Sequence, residues 1–78
     1  MVENILFGKP NCPQCLIMKN YLDEIRLTYN YVDATLNMEL FNKYAPGVRS
    51  VPQFVYQGKL IGDVRQVMKD VGNGNINV

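Results

Sequence analysis

The chain has 78 residues, 47% of them apolar, with a net charge of +1. That length makes one domain with a thin core, because a chain of this size buries only about 60% of its unfolded surface. Near-neutral charge offers no field of one sign to gather nucleic acid or an anionic membrane, and no apolar stretch approaches the roughly 20 residues of a membrane span.

Residues 3–7 read as a first strand, short and apolar, and residues 8–11 as a loop. A helix is predicted over 13–26. Its stripe is Cys15, Met18, Leu22 and Ile25, widened by Tyr21, while Lys19, Asn20, Asp23, Glu24 and Arg26 form the wet face. Pro13 suits the first turn, where its missing N–H is not needed. Residues 28–32 are rich in β-formers and make a second strand. Asp33 or Thr35 caps a second helix over 36–44, with Leu36, Leu40, Phe41 and Tyr44 inside and Pro46-Gly47 at its end. Residues 53–56 and 59–62 are two more strands, paired as a hairpin through Gln57-Gly58. Asp63 caps a last helix, with Val64, Val67, Met68 and Val71 facing inward and Gly72 stopping it. The tail, 73–78, is expected to be loose.

The order is β-α-β-α-β-β-α in a single domain over 1–78. A helix crosses between the first two strands, so they are parallel. The hairpin adds two antiparallel strands. The fold class is therefore α/β, a four-stranded mixed sheet flanked by three helices, which is the smallest form of the thioredoxin fold.

Cys12 and Cys15 are the only cysteines, and there is no histidine. Without histidine, Cys–His and Ser–His–Asp catalysis and the common mixed zinc sites are excluded. Two cysteines are too few for a disulfide-stapled mini-protein. A metal half-site would need two further ligands. The tetrapeptide Cys12-Pro13-Gln14-Cys15, lying between a strand and a helix, reads as a redox dithiol. Cys12 falls at the helix N-cap, where unpaired N–H groups and the helix dipole favour thiolate. Lys9 adds positive charge. Cys15, one turn on, is expected to be the more buried sulfur and the resolving one.

Lys9-Pro10-Asn11-Cys12-Pro13-Gln14-Cys15 resembles the glutaredoxin motif, in which a lysine precedes Cys-Pro-Tyr-Cys by three positions. Ser50-Val51-Pro52-Gln53-Phe54 is similar to that family's Thr-Val-Pro segment, and Ile61-Gly62 falls where it has a Gly-Gly turn. The three landmarks keep order and spacing over nearly the whole chain. The resemblance implies a cis Val51–Pro52 bond and a Val51 backbone that pairs with a bound peptide. It implies glutathione as reducing co-substrate, with no metal. It also implies a cytoplasmic monomer that reduces protein disulfides and glutathione mixed disulfides, ribonucleotide reductase being a plausible acceptor. The N-terminus, without a signal-like segment, fits that location.

Two features depart from the pattern. Gln14 replaces the usual tyrosine and is similar to the Cys-Val-Gln-Cys of NrdH-type redoxins, electron donors to ribonucleotide reductase that thioredoxin reductase reduces. After Gly62 the family's acidic glutathione anchor is missing or displaced. Asp63 can serve instead, or simply cap the helix. The Val64 and Arg65 backbone N–H groups, or the Arg65 side chain, can hold a carboxylate. Arg49 and Lys43 are weaker candidates. The glutathione-site residues expected from the resemblance are thus Lys9, Gln14, Val51, Pro52, Asp63, Val64 and Arg65. An iron–sulfur carrier role, known for some glutaredoxins, ranks lowest because proline after the first cysteine disfavours it.

Overall fold

Ile5, Leu6 and Phe7 are three consecutive apolar side chains, and each is at most 3% exposed. A run with no polar alternation must be covered on both faces, which suits a central strand. The computed structural model, which describes residues 4–77, places it there. Glu3, the expected first residue of that strand, lies outside the described residues. The strands are β1 (Ile5–Gly8), β2 (Asn30–Asp33), β3 (Gln53–Tyr56) and β4 (Lys59–Gly62), and the helices α1 (Pro13–Glu24), α2 (Met38–Tyr44) and α3 (Val64–Gly72). The sheet order is β2-β1-β3-β4. β1 pairs parallel with β2 and antiparallel with β3, and β3 pairs antiparallel with β4. The expected thioredoxin fold is the observed one.

Alternate residues of β1 feed two cores. Ile5 and Phe7 pack with Phe41, Ala45 and Val55 under α2, and the Phe7 and Phe41 rings meet edge to face at 5.2 Å. Leu6 packs with Met18, Leu22, Phe54 and Val67 under α1 and α3. Asn4 ties the start of β1 to both neighbours: its side chain donates to the Thr28 carbonyl and accepts from the Gln57 N–H. Gln57 and Gly58, at φ 52° and 81°, give the hairpin the left-handed pair that a two-residue turn requires.

Several boundaries move, each for a visible reason. Gly8, expected in a loop, ends β1. α1 stops at Glu24 rather than Arg26, because Arg26 turns left-handed at φ 60°. The Arg26 N–H then reaches the Asp23 carbonyl and the Leu27 N–H the Leu22 carbonyl, closing the helix end. β2 begins at Asn30, not Thr28. α2 begins at Met38, not Leu36, because the Asp33 carboxylate accepts from the Thr35 N–H and hydroxyl and so closes a turn rather than a helix. Those bonds hold the Asp33 carboxyl below the usual range, the Thr35 hydroxyl contributing most. Leu36, expected inside, is 80% exposed, and Met68, also expected inside, is largely outside. α3 is closed by Gly74, at φ 78°, and not by Gly72. The Gly74 N–H bonds to the Val71 carbonyl and the Asn75 N–H to the Asp70 carbonyl.

That closure overturns the loose tail as far as Asn77, Val78 lying outside the described residues. It folds the chain back so that Ile76 is buried among Leu6, Met18 and Phe54, and the Asn77 N–H donates to the Tyr56 hydroxyl at 3.2 Å. Ile76→Ala is expected to cost about 2–4 kcal/mol, read as a drop in the urea midpoint. A change below about 0.5 kcal/mol would restore the loose tail.

Tyr29 and Asp23 form a titrating pair on the surface. The Tyr29 hydroxyl donates to Asp23 at 2.8 Å, and Lys19 reaches the other carboxylate oxygen at 3.3 Å. The Tyr29 bond chiefly holds the Asp23 carboxyl below its usual range. Burial, then the bond to Asp23, pushes the Tyr29 phenol from 10.0 up to about 12. A raised folded value stabilises below the unfolded value and is lost as pH rises through the folded one. Stability should therefore fall between about pH 10 and about 12, and Tyr29→Phe should remove that part of the fall in urea titrations at stepped pH.

Candidate active site

The topology gathers the chemistry at one edge of the sheet. β1, β2 and β4 run in one direction and β3 in the other, so the ends of β1, β2 and β4 meet the start of β3. α1 and α3 both begin at that edge, with their N-termini towards it. So do residues 51–52, which continue past the Phe7–Gln53 pair and run beside Gly8 and Lys9. Open α/β sheets place ligands at such an edge.

Cys12 is the N-cap of α1, at φ −117° and ψ 101°, with Pro13 in the first turn. Its sulfur accepts from the Cys15 N–H at 3.1 Å, the bond that a side-chain oxygen makes at an ordinary cap. Cys12 and Cys15 are joined as a disulfide with Cα atoms 5.2 Å apart. Cys12 is half-buried and Cys15 is 2% exposed. The expected difference in burial is therefore present: an attacker meets Cys12 first. The Val51–Pro52 bond is cis, as the resemblance implies, and Pro52 is buried.

Two cavities share Lys9, and the first of them holds the dithiol in its wall. One, about 470 Å³, is lined by Lys9, Asn11, Cys12, Pro13, Cys15, Leu16, Lys19 and Tyr31. The other, about 700 Å³, is lined by Lys9, Ala34, Thr35, Met38, Phe41, Asn42, Gly47, Val48, Arg49 and Val51. Lys9 stands between them and belongs to both. The remaining expected residues sit outside these walls. Gln14 is exposed on the first turn of α1. Asp63 caps α3, accepting from the Gln66 N–H at 3.1 Å. Val64 packs on the core under α1 and α3, and Arg65 is exposed. Lys43 lies over the Tyr44 ring, 5.6 Å from its centroid. Arg49, ranked low in the sequence, does line a cavity with Lys9 and Val51.

Tyr31, Leu16 and Lys19 were not legible as site residues. Tyr31 pairs with Leu6 in register and so projects on the α1 side of the sheet. Its ring crosses the backbone of Gly8, where any Cβ would collide with the ring hydroxyl. A side chain at position 8 would have to push the Tyr31 ring aside.

The Cys12–Cys15 disulfide at the head of a helix, on this fold, marks a thiol–disulfide oxidoreductase. A sequence profile of the glutaredoxin family matches residues 4–61, and the chain belongs to that family. No curated protein sequence matches. Among solved structures, a buckwheat glutaredoxin–glutathione complex is similar at TM-score 0.74 and 24% identity, over 94% of this chain and 71% of that one. Glutaredoxin 1 from Francisella tularensis, complexed with cacodylate, gives TM-score 0.72 and 15% identity over 96% and 98%. A mutant thioredoxin-like protein gives 0.75 and 25% over 99% and 100%.

Gly8→Ala is expected to cost about 1 kcal/mol or less, because the half-exposed Tyr31 ring can be pushed aside. In a double-mutant cycle with Tyr31→Ala most of that cost should vanish. Additive losses in urea denaturation would show that the ring is not the obstacle.

Proposed function

We propose that the protein uses glutathione to reduce protein disulfides and glutathione mixed disulfides. The observation that carries this reading is the meeting of Lys9, Arg49 and Val51 around one cavity, which shares Lys9 with the cavity that holds the dithiol. Its two ionised side chains are both cationic. Glutathione is a short peptide with a thiol and a terminal carboxylate. Lys9 and Arg49 suit that carboxylate by charge, and the Val51 backbone suits the peptide as an added strand. The similarity to a glutaredoxin solved with glutathione supports the same assignment.

The chemistry divides between the sulfurs. In the reduced protein the Cys12 thiolate attacks one sulfur of a substrate disulfide, and the other sulfur leaves as thiolate. A mixed disulfide now joins Cys12 to the substrate. Cys15 loses its proton and attacks the Cys12 sulfur, releasing the second substrate thiolate and closing the Cys12–Cys15 bond. Two electrons have passed to the substrate. One glutathione thiolate then opens the Cys12–Cys15 bond by forming a mixed disulfide on Cys12, and a second displaces Cys12 to give oxidised glutathione. The Cys15 N–H aimed at the Cys12 sulfur and the N-terminus of α1 stabilise the thiolate each time Cys12 leaves.

A second reading, an NrdH-like donor reduced by thioredoxin reductase, draws on the other flank. Asp63 is engaged in capping α3, which leaves the γ-glutamyl end of glutathione without the family's acidic partner, and Gln14 replaces the aromatic.

Turnover is expected with NADPH, glutathione and glutathione reductase, and to be slow with NADPH and thioredoxin reductase. Activity only with the second pair would overturn the glutathione reading. Cys12→Ser should abolish both activities. Cys15→Ser should still remove glutathione from a protein but fall below about 1% of wild type on protein disulfides. Full dithiol activity in Cys15→Ser would refute the resolving role.

A further inference from the structure

The cavity of about 470 Å³ lies on the far side of β1 from Val51 and opens between α1 and the edge strand β2. Its wall carries two exposed apolar side chains, Leu16 at 57% and Tyr31 at 46%, together with the half-buried Cys12. Lys9 and Lys19 border it, and neither aspartate nor glutamate is among its lining residues. Tyr31 also borders a second hollow, which carries both Asp23 and Arg26 and so has no charge of one sign. The outer end of the Tyr31 ring lies over Gly8, which has no side chain to hold it off the backbone.

We propose that this trough seats the polypeptide flanking the disulfide of a protein substrate. An apolar side chain next to the substrate cysteine packs between Leu16 and Tyr31, and an acidic neighbour faces Lys9 and Lys19. The occupant follows from the place and the charge. The trough contains the dithiol, so a disulfide substrate seated in it brings its own sulfur to Cys12. Its wall is apolar, and its ionised rim is cationic. Lys9 makes no ion pair among the described residues, and the Lys19 pair with Asp23 is exposed at 3.3 Å, an arrangement worth little and open to competition. On this assignment the two flanks divide the work: the Val51 side takes the reductant and the Tyr31 side the oxidised protein. The proposal rests on the thiol–disulfide activity and not on which reductant closes the cycle.

The test is a single turnover with protein reduced by dithiothreitol and then freed of it, so neither glutathione nor a reductase is present. Three substrates are compared: a peptide disulfide with leucine and aspartate beside its cysteine, the same peptide with lysines there, and hydroxyethyl disulfide. Each rate is divided by that substrate's rate with dithiothreitol alone, which removes intrinsic reactivity. The leucine–aspartate peptide should lead the lysine peptide by about tenfold at low salt, and the lead should shrink in 0.5 M salt, where the screening length is roughly half its physiological value. Lys19→Glu should erase the lead. Leu16→Ser, at an exposed position that tolerates the change, should lower the peptide rate about fivefold more than the hydroxyethyl disulfide rate. Equal slowing of all three substrates, or an unchanged lead in Lys19→Glu, would overturn the proposal. So would loss of the lead in Arg49→Glu with Lys19→Glu unaffected, which would place the seat in the other cavity.

Discussion

Burial of β1 on both faces is the constraint from which the arrangement follows. Ile5 and Phe7 anchor the core under α2, and Leu6 anchors the core under α1 and α3. A strand so placed must have neighbours on both sides, supplied by β2 and β3. Its C-terminal end is then fixed in space, and four residues later the chain delivers Cys12. The dithiol is held at a set height above the sheet because the strand before it and the helix after it are packed, Met18 and Leu22 being fully buried. In a thin-cored domain this economy matters, since the same apolar contacts that fold the chain also position its sulfurs.

The difference between the two sulfurs comes from helical geometry. The N-cap position leaves the Cys12 sulfur outside the first turn, facing the edge of the sheet and touched by the Cys15 N–H. One turn on, Cys15 shares the stripe of Met18 and Leu22 and is buried with them. No charged partner is needed to distinguish an outer nucleophile from an inner resolving thiol. The spacing of three residues accomplishes it, provided that the helix starts where Pro13 starts it.

Much of this was legible in the sequence because independent signals coincided. The α1 stripe, the Gln57-Gly58 turn, the Asp63 cap and Val51-Pro52 beside a Cys-x-x-Cys pair each had a local cause that the structure retains. The failures share a different character. Leu36 fits the helical stripe of α2, but the Asp33 carboxylate reached Thr35 first and closed a turn. Arg26 carries no mark of left-handed backbone, and its conformation is set by the Leu27 N–H closing onto the Leu22 carbonyl. Gly72 and Gly74 are both plausible helix stops, and only the hydrogen bonds at Val71 and Asp70 choose between them. Ile76 stands alone among polar residues, so no periodicity announces its burial. Alternation in β2 gives the side on which Tyr31 projects but not that its ring crosses Gly8. Pairing partners, helix caps and apolar stripes are written locally. Contacts between distant segments are not.

The seat of Ile76 has a consequence for how the molecule is made. Its partner Leu6 lies on the first strand, so the core under α1 and α3 joins nearly opposite ends of the chain. Contacts of such long separation form late and slow a folding reaction. On a ribosome, where a chain emerges from its N-terminus, β1, α1 and β2 can assemble while this core still lacks its last plug. The nascent domain therefore exposes Leu6, Met18 and Phe54 to the surroundings until the closing turn at Gly74 has cleared the exit tunnel.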